Sequence, residues 1–160
     1  MSKNNPRYII FQILHKFFTT KTSLKVIMER SSLKVEDTPF SINIIKGILR
    51  DKSILDQNIY LYSKTKKIDL KTMVLLYIGI YQLLYCNSVP DYAAINTTVD
   101  ISKSINTKSS GFINAILRKI NKKSYEKVRT DPPDIYYSYP KWLLDKLIKI
   151  YNDRAYSICS

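Results

Sequence analysis

Apolar residues recur along this chain at three- and four-residue intervals, not in alternation, a period that places them on one face of α-helices and predicts an all-α protein. Only three glycines occur in 160 residues, and no segment reads as a strand. The first helix opens at Asn5-Pro6, a capping residue followed by proline at the first helical position. It carries Ile10, Ile13, Leu14, Phe17 and Phe18 on one face, with His15 at the edge of that stripe. A short helix spans Leu24 to Glu29, and a third runs from Thr38 to Arg50 with Phe40, Ile44, Ile45, Ile48 and Leu49 turned inward. Ser53 caps a fourth helix through Ile54, Leu55, Ile59 and Tyr62.

The fifth helix, from near Asp69, is apolar nearly all round through Leu76, Ile80, Leu83 and Leu84, which makes it the central one. Gly79 inside it costs up to about 1 kcal/mol relative to alanine, the mark of a close helix crossing. A sixth helix covers about Asp91 to Ser104. A seventh runs from a cap at Ser109 or Ser110 through Phe112, Ile113, Ile116, Leu117 and Ile120. Residues 123–140 change texture to a charged, then Pro- and Tyr-rich linker in which Pro132-Pro133 excludes a continuous helix. Beyond it, residues 141–160 regain helical spacing through Trp142, Leu143, Leu147, Ile148 and Tyr151, predicting one further helix.

Composition bounds the function. Forty-five per cent of residues are hydrophobic and 24% charged, the balance of an ordinary folded protein. There are 26 basic residues against 13 acidic ones, a net charge of +13 that favours a polyanion, nucleic acid first. Twenty of the 26 are lysines in a chain also rich in Ile, Asn and Tyr, so coding bias contributes to that charge. The two cysteines, Cys86 and Cys159, stand in no metal-binding or redox pattern and fit a reducing cytoplasm. The most apolar run, Met73 to Tyr85, falls short of the ~20 residues of a membrane span, and no signal peptide is indicated.

Catalytic patterns are missing. A cofactor held against the backbone needs a glycine-bearing turn after a strand, whereas Gly47, Gly79 and Gly111 all lie in helical patterns. Cys86 and Cys159 follow apolar neighbours and read as packing residues, the acids are scattered, and His15 has no partner motif. Expected catalytic residues and metal ligands are therefore none, and binding is the remaining function.

Two linked blocks, Val89-Pro90-Asp91-Tyr92-Ala93-Ala94-Ile95-Asn96 and Gly111-Phe112-Ile113-Asn114-Ala115-Ile116-Leu117-Arg118, resemble the signature of the NusB superfamily. Ile78 to Leu84 resembles its central helix and Pro6-Arg7-Tyr8 the start of its basic first helix. The resemblance spans roughly residues 6–122 and implies a NusB-like fold of two packed helical bundles. Within the superfamily, Gly47 to Arg50, Ala115 to Arg118 and Ser138-Tyr139-Pro140-Lys141-Trp142-Leu143 resemble the N-terminal domain of the RsmB-type 16S rRNA cytosine-5 methyltransferases. That likeness implies residues 1–122 as an RNA-binding domain, 123–140 as linker, and 141–160 as a helix leading into a methyltransferase part. The cofactor, S-adenosylmethionine, would belong to that full-length parent and not to this chain. The alternatives are a free-standing antitermination factor, which would bind RNA with a small ribosomal protein, and a NusB-like protein-interaction module. Thr97 departs from the superfamily pattern, which has an acidic residue there.

The expected RNA contacts are Arg118, Lys119, Lys122 and Lys123 at the end of the seventh helix, Lys3 and Arg7 at the start of the first, and Arg50. Four cations in six residues exceed what a helix C-terminus needs to offset its dipole. The resemblance adds an RNA-facing first helix to the reading of Arg7, with 16S rRNA as the partner. Asn96 and Asn114 are expected as buried structural amides bonded across two helices. Tyr136, Tyr137, Tyr139 and Trp142 are expected at an interdomain seam.

Overall fold

In α1 (Pro6–Thr19) the chain starts as its sequence dictates: the Asn5 side chain accepts the Arg7 amide at 2.9 Å and Pro6 occupies the first turn. The computed structural model describes residues 5–65, 67–105, 107–120 and 140–159, and every described element is helical. After α1 come α2 (Leu24–Glu29), α3 (Thr38–Arg50), α4 (Lys52–Tyr62), α5 (Leu70–Tyr85), α6 (Asp91–Ile105) and α7 (Ser110–Lys119). Short 3-10 turns at Val35–Asp37 and Thr107–Ser109 lead into α3 and α7. The all-α expectation holds, as does the order of the first seven helices.

The fifth helix is the hub. The Asp69 side chain accepts the Thr72 amide at 3.1 Å and its hydroxyl at 2.6 Å, fixing the start of α5. From Thr72 to Gln82 every residue is buried. Around it stand α1, α3, α4, α6 and α7, with α2 packed on α1. Ile10, Leu14, Ile44, Ile45, Leu55, Leu75, Ile78 and Ile113 have no measurable exposure. Each such side chain contributes about 1.5–3 kcal/mol relative to an exposed one.

Gly79 marks the crossing expected of it. A Cβ built there would lie 2.7 Å from Leu117, so α5 and α7 approach more closely than an alanine allows without a shift. Between α4 and α5 a polar clamp adds to the apolar packing of Ile54, Leu55 and Ile59: the Tyr77 hydroxyl donates to Asp56, and Lys52 donates to the same carboxylate at 2.6 Å.

Three expectations are corrected. Helix α4 starts two residues earlier than a Ser53 cap would place it, with Asp51 in the capping position. The single helix expected over 141–160 is two, α8 (Lys141–Tyr151) and α9 (Arg154–Cys159), because Asn152 takes a φ of 49° and turns the chain. Asparagine tolerates that left-handed backbone better than most residues. Asn96 is not a buried amide. The inward face of α6 is Ala94, Thr98, Ile101 and Ser102, and two positions from Ala94 is a rotation of about 200°, so Asn96 faces outward and is exposed. Asn114 is half-buried and accepts from Arg118 of its own helix, not from α6.

Candidate nucleic-acid interface

The C-terminal half of α5 receives two of the predicted cations. Arg7, from the first turn of α1, donates its Nε–H to Oε1 of Gln82, which is wholly buried. Gln82 in turn donates to the Ile78 carbonyl at 3.0 Å. The Arg7 guanidinium lies 5.1 Å over the Phe40 ring, so one half-buried side chain ties α1 to α3 and α5. Burial lowers its pKa from the usual value, while Cys86 acts in the opposite sense. The same burial pushes the Cys86 thiol up, with Arg7 partly offsetting it.

Arg50, at the end of α3, is exposed but engaged. Its Nε and Nη2 donate to the two carboxylate oxygens of Asp51 at 2.9 and 2.8 Å. The hydrogen bond to Asp51 raises its pKa, with Tyr81 acting in the same sense. The pair is charge-neutral, so Arg50 presents less net field to an anion than a free arginine would.

Arg118 and Lys119 end α7 and are both exposed. Nε of Arg118 donates to Asn114 at 3.0 Å, a one-turn brace that holds the guanidinium along the helix surface. Lys3, Lys122 and Lys123 lie outside the described residues, as do Tyr136, Tyr137 and Tyr139. Trp142 is 67% exposed at the start of α8. The structure therefore brings Arg7 and Arg50 to one end of α5, and leaves Arg118 and Lys119 together on the last turn of α7.

One cation-lined feature has no counterpart in the sequence reading. A cavity of about 310 Å³ opens between α1 and α2, with Ile9, Ile13 and Ile27 at its floor and Gln12, Lys16 and Arg30 on its rim. Gln12 and Lys16 are one turn apart, and that spacing beside two buried isoleucines was the available signal. The packing of α2 that completes the cavity was not.

All three glycines lie in helices, Gly47 under the Tyr81 ring, Gly79 under Leu117, and Gly111 in the first turn of α7. Among the described residues no group of three His, Cys, Asp or Glu is placed to hold a metal ion. No described helix is long and apolar enough to cross a membrane.

A family model described as the NusB family matches residues 4–122, the span that holds α1 to α7. The chain belongs to the NusB family. Its NusB region is similar to the transcription antitermination protein NusB of Oceanobacillus iheyensis, with 26% identity over 75% of this chain and 98% of that protein. It is also similar to the probable ribosomal RNA small subunit methyltransferase B of Bacillus subtilis, with 27% identity over 99% of this chain. The ribosomal RNA small subunit methyltransferase B of Shigella boydii gives 30% identity over 98% of the chain. The chain spans 38% of the length of each of these two methyltransferases.

Proposed function

We propose that this chain is the RNA-binding, N-terminal part of a 16S rRNA cytosine-5 methyltransferase, supplying affinity and orientation while the remaining length of the enzyme binds S-adenosylmethionine and transfers the methyl group. The observation that carries this reading is the extent of the likeness. The methyltransferase B proteins align with the whole chain, α8 and α9 included, whereas the Oceanobacillus NusB accounts for 75% of it. A net charge of +13 and the cation pair ending α7 supply the electrostatic attraction that RNA binding needs. Under this reading residues 1–122 are the RNA-binding domain, 123–140 the linker, and Trp142 faces the enzymatic part.

Binding of labelled 16S rRNA fragments across a salt series tests the proposal. Affinity should fall steeply with salt, by a slope near −0.7 per phosphate contact on single strands. Replacing Lys119, Lys122 and Lys123 with alanine should weaken binding about equally for all sequences and flatten the slope, since phosphate contacts position without specifying. Unchanged affinity in the triple variant would remove this cluster from the interface, and absence of RNA binding would overturn the reading. The similarity to antitermination NusB supports a second reading, in which RNA affinity depends on adding a small ribosomal protein.

A further inference from the structure

Resting on the RNA-binding reading above, we propose that the groove between α1 and α2 is a subsite for one unstacked nucleotide of single-stranded RNA, its base on the isoleucine floor and its phosphate between Lys16 and Arg30. The groove lies away from the cations considered so far. On α1, Ile9, Gln12, Ile13 and Lys16 share one face by their three- and four-residue spacing, and Arg7 points to the α3–α5 side instead.

The lining matches the parts of a nucleotide. Ile9, Ile13 and Ile27 are at most 3% exposed, so the floor is apolar and shaped by the core behind it. Lys16 and Arg30 are exposed, and among the described residues neither side chain takes part in a hydrogen bond or an ion pair. Their charge therefore remains available to an anion, unlike that of Arg50. Gln12 offers a donor and an acceptor to a base edge. Ser31 already donates its hydroxyl to the Met28 carbonyl at 2.7 Å, so it can only accept, whereas Ser32 can do either. At about 310 Å³ the cavity is at the lower end of the range of small-ligand sites, about 300–1,000 Å³, enough for a single nucleotide and too small for a stacked run. An apolar floor with a few convergent polar groups and two cations at the rim fits a base attached to a phosphate better than it fits phosphate alone.

The test uses the full chain and three probes: uridine monophosphate, inorganic phosphate, and a fluorescent single-stranded ribo-oligonucleotide. Uridine monophosphate should shift the backbone amide resonances of Gln12, Lys16, Ser31 and Ser32, and inorganic phosphate should not reproduce the pattern. Identical shifts with phosphate would overturn the base-binding half of the proposal. For the oligonucleotide, Lys16→Ala/Arg30→Ala should weaken binding and flatten the salt slope by about 0.7, the contribution of the one phosphate held between the two cations. Gln12→Ala should weaken binding and leave the slope unchanged, because it removes a neutral contact. The Lys16 carbonyl, which accepts from the Thr20 amide and hydroxyl, survives the alanine change, so the helix end is preserved. If the wild-type chain binds the oligonucleotide and both variants match it, the groove is not a nucleotide subsite and the RNA-binding reading stands. If the wild-type chain binds no oligonucleotide, both fall together.

Discussion

The phenol of Tyr81 rests directly on the backbone of Gly47. A Cβ added to Gly47 would collide with the Tyr81 hydroxyl and with the ring carbon that bears it. Tyr81 is 3% exposed and packs on Tyr85 with ring centroids 4.7 Å apart, so it has little room to retreat. Gly47→Ala should therefore destabilise the protein by about 1–3 kcal/mol, the usual range for overpacking. At Gly79 the obstacle is the flexible end of Leu117, and alanine gains up to about 1 kcal/mol of helix propensity. Gly79→Ala should come out much closer to neutral. Urea denaturation of the two variants checks the contrast, and equal losses would contradict it.

Arg7 holds the buried amide of Gln82. Arg7→Ala should cost about 1–3 kcal/mol, because it leaves a desolvated oxygen without its donor, and the ring contact with Phe40 is lost as well. Arg7→Lys should recover only part of that, since a lysine cannot place a planar donor on Gln82 and a flat cation over the ring together. Thermal melts measure the stability term. RNA binding well below both melting temperatures then reads any separate contribution to affinity.

Alkaline conditions should weaken the fold in two steps. Burial raises the pKa of Cys86, Tyr81 and Tyr77 above their ordinary values, with the hydrogen bond to Asp56 adding to the effect at Tyr77. A group whose folded pKa is raised stabilises the fold fully below its unfolded pKa, and that contribution is lost as pH rises towards the folded value. The thiol step should begin near about pH 8.5 and the tyrosine step near about pH 10. Cys86→Ala should flatten the first step of a stability-against-pH curve and leave the second, as chemical denaturation at a series of pH values would show.

Residues 1–122 should fold without the rest. Among the described residues the contiguous core draws only on those from Ile9 to Ile120, while Leu144 and Ala155, the two buried apolar residues of α8 and α9, lie outside it. A chain ending at residue 122 should melt cooperatively. Loss of the transition would mean that the last two helices complete the core.

Much of this was legible because local chemistry decided it. Asn5-Pro6 and Asp69 set helix starts with their own side chains, and the unbroken apolar run of α5 announces a helix enclosed on every side. What escaped depends on rotation or on distant partners. Asn96 has an apolar neighbour in Ile95, yet the face of α6 is set by Ala94 and Thr98. Arg7 reads as an exposed cation until Gln82, 75 positions away, is brought to it. The Asn152 break hides within a spacing that continues across it, and the groove at Lys16 exists only once α2 is laid against α1.

The position of α5 in the order of synthesis has a consequence for how the protein is made. Helices α1, α3 and α4 leave the ribosome before the element they surround, and α6 and α7 follow it. With residue 62 just emerged, the segments that become α1 to α4 still lack the element they surround, and their isoleucines stay open to water or to a chaperone. Arrival of residues 70–85 supplies the centre, and α6 and α7 can then add from contacts close in sequence, the kind that form fastest. The vulnerable interval in the life of this protein is thus the time the ribosome takes to traverse the connector and α5.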